Sequence, residues 1–158
     1  MSAAPKIAGV LETALYVEDL DRAARFYENV LGLEPINKDQ RFAGYDAGPR
    51  SVLLLFKRGS TLETVQMPGG TIPPHDGQGP LHVAFAIAAD ALAAWEQHLQ
   101  SHDIAIEGHT DWPRGGKSIY FRDPDGHLLD SPRPGFGRIT RANLAVRKRE
   151  PLMFSPCF

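Results

Sequence analysis

Between Val10 and Val17, Leu11, Thr13, Leu15 and Val17 alternate with Glu12, Ala14 and Tyr16. A period of two marks a half-buried strand. Asp19 follows and is placed to cap a helix over 21–31, in which Leu20, Ala23, Ala24, Tyr27, Val30 and Leu31 recur at three- and four-residue steps before Gly32 ends it. Three shorter strands are predicted at 33–36, 41–45 and 51–57, separated by turn residues that include Gly48 and Pro49. The Gly- and Pro-rich run 69–80 reads as a linker. The order then repeats: a strand over 81–87, a helix capped by Asp90 and carrying Leu92, Trp95 and Leu99, and strands at 104–107, 117–122 and 127–130.

Set against each other without gaps, 11–17 and 81–87 carry apolar residues at the same positions, and Glu12 falls opposite His82. This is an internal repeat of pattern rather than of identity. The predicted class is α+β: two βαβββ modules, 8–68 and 81–131, forming a cup-shaped mixed sheet with helices on its outer face. A pseudo-twofold axis between the modules would put Glu12 and His82 at equivalent positions on the concave wall.

Composition narrows the function. The 158 residues suffice for one compact domain with its own core. A net charge of −2, with acids and bases mixed along most of the chain, argues against a nucleic-acid or membrane-surface partner. The single cysteine, Cys157, can form no intramolecular disulfide, and Met1 to Lys6 holds no apolar signal core. These features predict a cytoplasmic protein whose partners are a small-molecule substrate and, in a homodimer, a second copy.

His82 shares its strand face with Ala84 and Ala86, which leave room around the imidazole, while Val83, Phe85 and Ile87 face the helix. A lone strand histidine is more often a hydrogen-bonded structural residue, and Glu12 alone would read as a solvated acid; the repeat is what links them. Asp123-Pro124-Asp125-Gly126 is a tight-turn sequence between the last two strands. Asp130, at the end of the last strand, points toward His82 or into solvent, and His127 is expected in the turn, facing solvent. Phe26 and Tyr27 read as helix packing.

The run Leu15-Tyr16-Val17-Glu18-Asp19-Leu20, then Phe26-Tyr27 and Val30-Leu31-Gly32-Leu33, resembles the opening module of the vicinal oxygen chelate superfamily, the group of glyoxalases, bleomycin-resistance proteins and extradiol dioxygenases. Gly79-Pro80-Leu81-His82-Val83-Ala84-Phe85 resembles the strand that brings its second metal ligand, and Phe121-Arg122-Asp123-Pro124-Asp125-Gly126 the hairpin before its last. The resemblance spans 8–131. It implies a divalent metal held by Glu12, where His is frequent, by His82, and by Asp130, where Glu is usual. Leu53 or Leu54 fills the fourth ligand position and cannot bind a metal. Two carboxylates and an imidazole suit Mn²⁺, Fe²⁺, Ni²⁺ or Zn²⁺.

Tyr16, Phe56, Trp112, Arg114 and Tyr120 are the expected substrate contacts, with Lys117 and Arg122 nearby. The segment Trp112-Pro113-Arg114-Gly115-Gly116 reads either as a loop closing over the pocket or as an ordinary hairpin loop. The function implied is metal-dependent chemistry, of lyase or dioxygenase type, on a small oxygenated substrate chelated through adjacent oxygens. The competing expectation is a non-catalytic protein that sequesters a drug, as bleomycin-resistance members do; a third is a divergent chain without activity.

From Ser131 the pattern stops. The 132–158 tail carries Arg133, Arg138, Arg141, Arg147, Lys148 and Arg149 against one acid, Glu150. Chains of the family it resembles commonly continue Glu-Leu-Ala-Thr-Pro. The codons GAG-CTC-GCC-ACG-CCC, less one base, become GAC-TCG-CCA-CGC-CC and encode Asp-Ser-Pro-Arg-Pro, the order at 130–134. The expectation is a frameshifted tail; resequencing the gene checks it, and a coding sequence that one base cannot restore ends it.

Overall fold

The computed structural model describes residues 3–113 and 115–131. The predicted tail over 132–158 and the contact expected of Arg114 lie outside them. The first module comprises β1 (Glu12–Val17), α1 (Leu20–Asn29), β2 (Glu34–Lys38), β3 (Phe42–Asp46) and β4 (Val52–Lys57). The second comprises β7 (His82–Ala84), α2 (Leu92–Ser101), β8 (Ile106–Asp111), β9 (Lys117–Arg122) and β10 (Leu128–Asp130); between the modules stand β5 (Val65–Met67) and β6 (Gly70–Ile72). Both βαβββ orders are as expected, and the class is α+β.

Each module forms its own four-stranded mixed sheet, ordered β1-β4-β3-β2 and β7-β10-β9-β8, where one shared sheet was expected. The first strand of each pairs parallel with its last, Leu15 beside Leu55 and Leu129 beside Val83. Alternation decides the faces. Leu15, Val17, Leu53 and Leu55 turn inward onto Ala23, Phe26 and Tyr27 of α1, and Leu129, Ile119 and Phe121 join the same core with Leu99 of α2. The opposite faces are left to Glu12, Ala14 and Tyr16 in one module and to His82 and Ala84 in the other.

Asp19 caps α1 as predicted, its Oδ1 accepting from the Arg22 N–H at 2.9 Å. Asp90 does not cap α2. The N-cap is Ala91, with no side-chain bond, so that helix is held by the packing of Leu99 and Trp95. Within the stretch read as a linker, β6 pairs antiparallel with β5.

The modules join through the Asp123–Gly126 turn. Tyr27 Oη donates to Asp123 Oδ2 at 2.9 Å in the buried core, while Asp123 Oδ1 accepts from the His127 and Asp125 N–H groups. Arg22 meets Asp125 at 3.3 Å, and the Glu18 N–H donates to the same carboxylate. His127 corrects an expectation: it is fully buried rather than facing solvent. Its Nδ1 accepts from the Leu81 N–H at 3.0 Å, which leaves the proton on Nε2 to donate to the Tyr16 carbonyl at 3.0 Å. The ring ties β1 to the start of β7, and burial is what a polar group with both nitrogens satisfied can tolerate.

Candidate metal and substrate site

Register places the predicted ligands of the second module together. His82 lies beside Leu128, and Asp130 beside Ala84 on one side and Tyr120 on the other. Directly paired residues share a face, and so do residues two apart on one strand. His82, Asp130, Tyr120 and Ser118 therefore occupy one face. His82 is exposed there and Asp130 is buried.

Asp130 is held in a graded polar setting. Burial pushes its carboxyl above the usual carboxylate range, and the Ser118 hydroxyl and the nearby His82 imidazole oppose that shift. Among the described residues its Oδ1 has no hydrogen-bond partner. A buried carboxylate oxygen without a donor is costly. A divalent cation beside His82 is the kind of group that would satisfy it, so this half of the ligand set fits a metal.

Trp112, expected as a pocket wall, donates from Nε1 to Ser118 Oγ at 2.9 Å and so orients the hydroxyl that faces Asp130. Lys117 is paired with Asp111 at 2.7 Å, and Arg122 with Glu107 at 3.1 Å and with the Gly126 carbonyl. These contacts lie within the β8–β9 and β9–β10 hairpins.

Glu12 stands on the other module. The His127 link between the modules is at Tyr16, whereas Glu12 opens the same strand, about 13 Å away along an extended backbone. Among the described residues, no three of His, Cys, Asp and Glu are gathered as a metal would require. Register thus puts His82 and Asp130 on one face, while among the described residues Glu12 forms no three-ligand cluster with them.

What surrounds Glu12 is a cavity of about 520 Å³ that also includes Tyr16 and Phe56. The two rings stack with centroids 5.9 Å apart. His75, which the sequence did not single out, completes the group: Tyr16 Oη and His75 Nδ1 are 2.8 Å apart, and the imidazole meets Phe56 edge-on at 4.7 Å. Burial, then the Asp76 charge, raises the Tyr16 phenol above its ordinary value, so it keeps its proton. The only signal for His75 was a histidine ahead of Asp76-Gly77 in a Pro-rich run, too slight to separate from a loop.

The family model described as Glyoxalase/Bleomycin resistance protein/Dioxygenase superfamily matches residues 9–130. Metallothiol transferase FosB of Bacillus licheniformis is 30% identical over 128 residues, covering 79% of this chain and 75% of that protein. Catechol-2,3-dioxygenase of Bacillus subtilis is 28% identical over 137 residues, covering 84% of this chain and 45% of that one. Among solved structures, lactoylglutathione lyase from Agrobacterium tumefaciens superposes with a TM-score of 0.75 at 30% identity, covering 84% of this chain and 98% of that chain. No helix among the described residues is long and apolar enough to cross a membrane. With two βαβββ modules, paired first and last strands, and a family match across nearly all of both, the chain belongs to the glyoxalase/bleomycin resistance protein/dioxygenase superfamily.

Proposed function

We propose that this protein is a metal-dependent enzyme acting on a small oxygenated substrate, with Glu12, His82 and Asp130 holding a divalent ion and the substrate binding through two adjacent oxygens. The observation that carries this reading is the buried Asp130 carboxylate, whose Oδ1 lacks a partner on the face it shares with His82. A bound cation would supply Lewis-acid stabilisation of negative charge developing on substrate oxygens. The chain's own contribution is orientation. Trp112 positions Ser118, Ser118 faces Asp130, and the small Ala84 beside them leaves room for a ligand.

Because Glu12 stands away from the His82–Asp130 pair in one chain, we infer that a homodimer completes the centre, with Glu12 of the partner subunit as third ligand. Exposed apolar residues beside Glu12, namely Val10 and Leu11 at 75% and 67% exposure, supply surface for such an association. A two-fold interface repeats every contact, so one arrangement yields two equivalent centres. The similarity to metallothiol transferases makes thiol transfer the first reaction to assay.

Elemental analysis of protein purified without added metal tests the reading, alongside Glu12→Ala and His82→Ala. The expected result is about one divalent ion per chain, lost in both variants. Protein that stays metal-free even after reconstitution would overturn it and favour sequestration of a small molecule.

A further inference from the structure

The cavity beside Glu12 is built by two parts of the first module. Its floor is Ala14 of β1 with Leu54 and Phe56 of β4, and its cover is Val65, Met67 and Ile72 of the β5–β6 hairpin. Met67 and Ile72 remain 51% and 45% exposed, a costly position for large apolar side chains that a ligand would relieve. The cover is fastened: the His75 N–H donates to the Thr61 carbonyl, the Thr61 hydroxyl bonds the His75 carbonyl, and Gly77 lies against the Tyr16 ring. These bonds hold His75 edge-on to Phe56, while Phe42 packs against the other part of the Phe56 ring at 5.8 Å.

Volume and lining together narrow the occupant. About 150 Å³ of apolar cavity is enough to accept benzene, so about 520 Å³ accommodates a ring with substituents. Most of the lining is aliphatic or aromatic, with Glu12, Arg41, Thr61 and the polar atoms of Tyr16 and His75 as the exceptions, so a flat ring gains burial and offset or edge contacts over most of the wall that a fully hydroxylated molecule does not. Glu12, the proposed ligand of the metal, is part of the same lining.

We propose that the first-module cavity takes an aromatic ring carried by the substrate, so that this chain selects ring-bearing oxygenated compounds over small hydrophilic ones. This deepens the metal-dependent reading and rests on it for where the reacting oxygens lie, next to Glu12. Met67 and Phe56 become specificity-determining residues, and His75, through its bond to Tyr16, a positioning residue.

The test is a ¹⁵N–¹H titration of EDTA-treated full-length protein with p-cresol and, separately, with glycerol. Saturable shifts at the amides of Leu54, Phe56, Met67 and His75 are expected with p-cresol and none with glycerol. Phe56→Ala should weaken p-cresol binding roughly 3- to 10-fold. Met67→Ser, at a half-exposed position outside the buried core, should weaken it in the same direction. The proposal is overturned if p-cresol causes no saturable shifts, if its shifts centre instead on the separate groove that Val30, Leu31, Ala94 and Trp95 line between the ends of α1 and α2, or if Met67→Ser binds as well as wild type. Metal has been removed, so ring binding without metal in the elemental analysis would sink only the metal reading, and a loaded centre without ring binding only this one.

Discussion

Glu28 shows how one carboxylate can serve two elements at once. From the end of α1 it accepts from Lys38 Nζ of β2 at 2.5 Å and from Tyr45 Oη of β3 at 2.9 Å. The Lys38 bond, with help from Tyr45, holds the Glu28 carboxyl below its ordinary value of 4.5 despite partial burial. A carboxyl depressed in the folded state adds stability above the unfolded value, and that stability is lost as pH falls through the folded one. Glu28→Gln keeps an acceptor for the buried Tyr45 hydroxyl but removes the charge. Its unfolding midpoints in urea should therefore fall less steeply than those of wild type as pH drops from 4.5 downward. The Glu28 side chain is 30% exposed and Lys38 42%, so the loss at neutral pH should stay within about 1 kcal/mol. Equal acid-side slopes would remove Glu28 from the account.

At the scale of elements, the excursion from β4 to β7 carries only two short strands among the described residues and supplies the cover of the cavity. Its closure depends on Gly77. A Cβ there would lie 2.3 Å from Tyr16 Cδ2 and 2.8 Å from Cε2. Tyr16 cannot simply turn aside, since it is stacked on Phe56 and bonded to His75. Gly77→Ala should lower stability by about 1–3 kcal/mol in denaturant melts. Gly69→Ala, where a Cβ meets nothing within 4 Å, should be close to neutral; equal effects would show that no contact with Tyr16 is involved. This region also marks where the sequence stops being readable. The strands and helices of both modules were legible because their apolar positions repeat at two or at three to four residues. β5 and β6 have three residues each and include Gly70, too short for any period. His127 was misjudged for a related reason: its turn was identified correctly, but its burial comes from Tyr16, far away in the chain. Strand ends left Asp130 facing either His82 or solvent, and its pairing with Ala84 and Tyr120 is what puts it on the His82 face, whereas the separation of Glu12 from them depends on how the modules join.

That separation sets the question for the whole molecule. If each centre takes Glu12 from one subunit and His82 with Asp130 from the other, two inactive variants can restore each other. In a mixed dimer of Glu12→Ala and His82→Ala chains, one centre carries both lesions and the second carries neither. Random reassortment puts half of all dimers in the mixed form, each with one of its two centres intact, so about a quarter of wild-type metal content should return. The measurement is elemental analysis after the two apo variants are unfolded together, refolded and reconstituted, with each variant alone as control. A centre built within one chain predicts no recovery, because no chain then holds both Glu12 and His82. Recovery without dimers in sedimentation would equally contradict a shared centre, since exchange of ligands requires the subunits to be in contact. The missing fourth ligand, where Leu53 and Leu54 stand, is untouched by either variant. Recovery would therefore report only on which chain donates Glu12, and open coordination positions would remain for the two substrate oxygens.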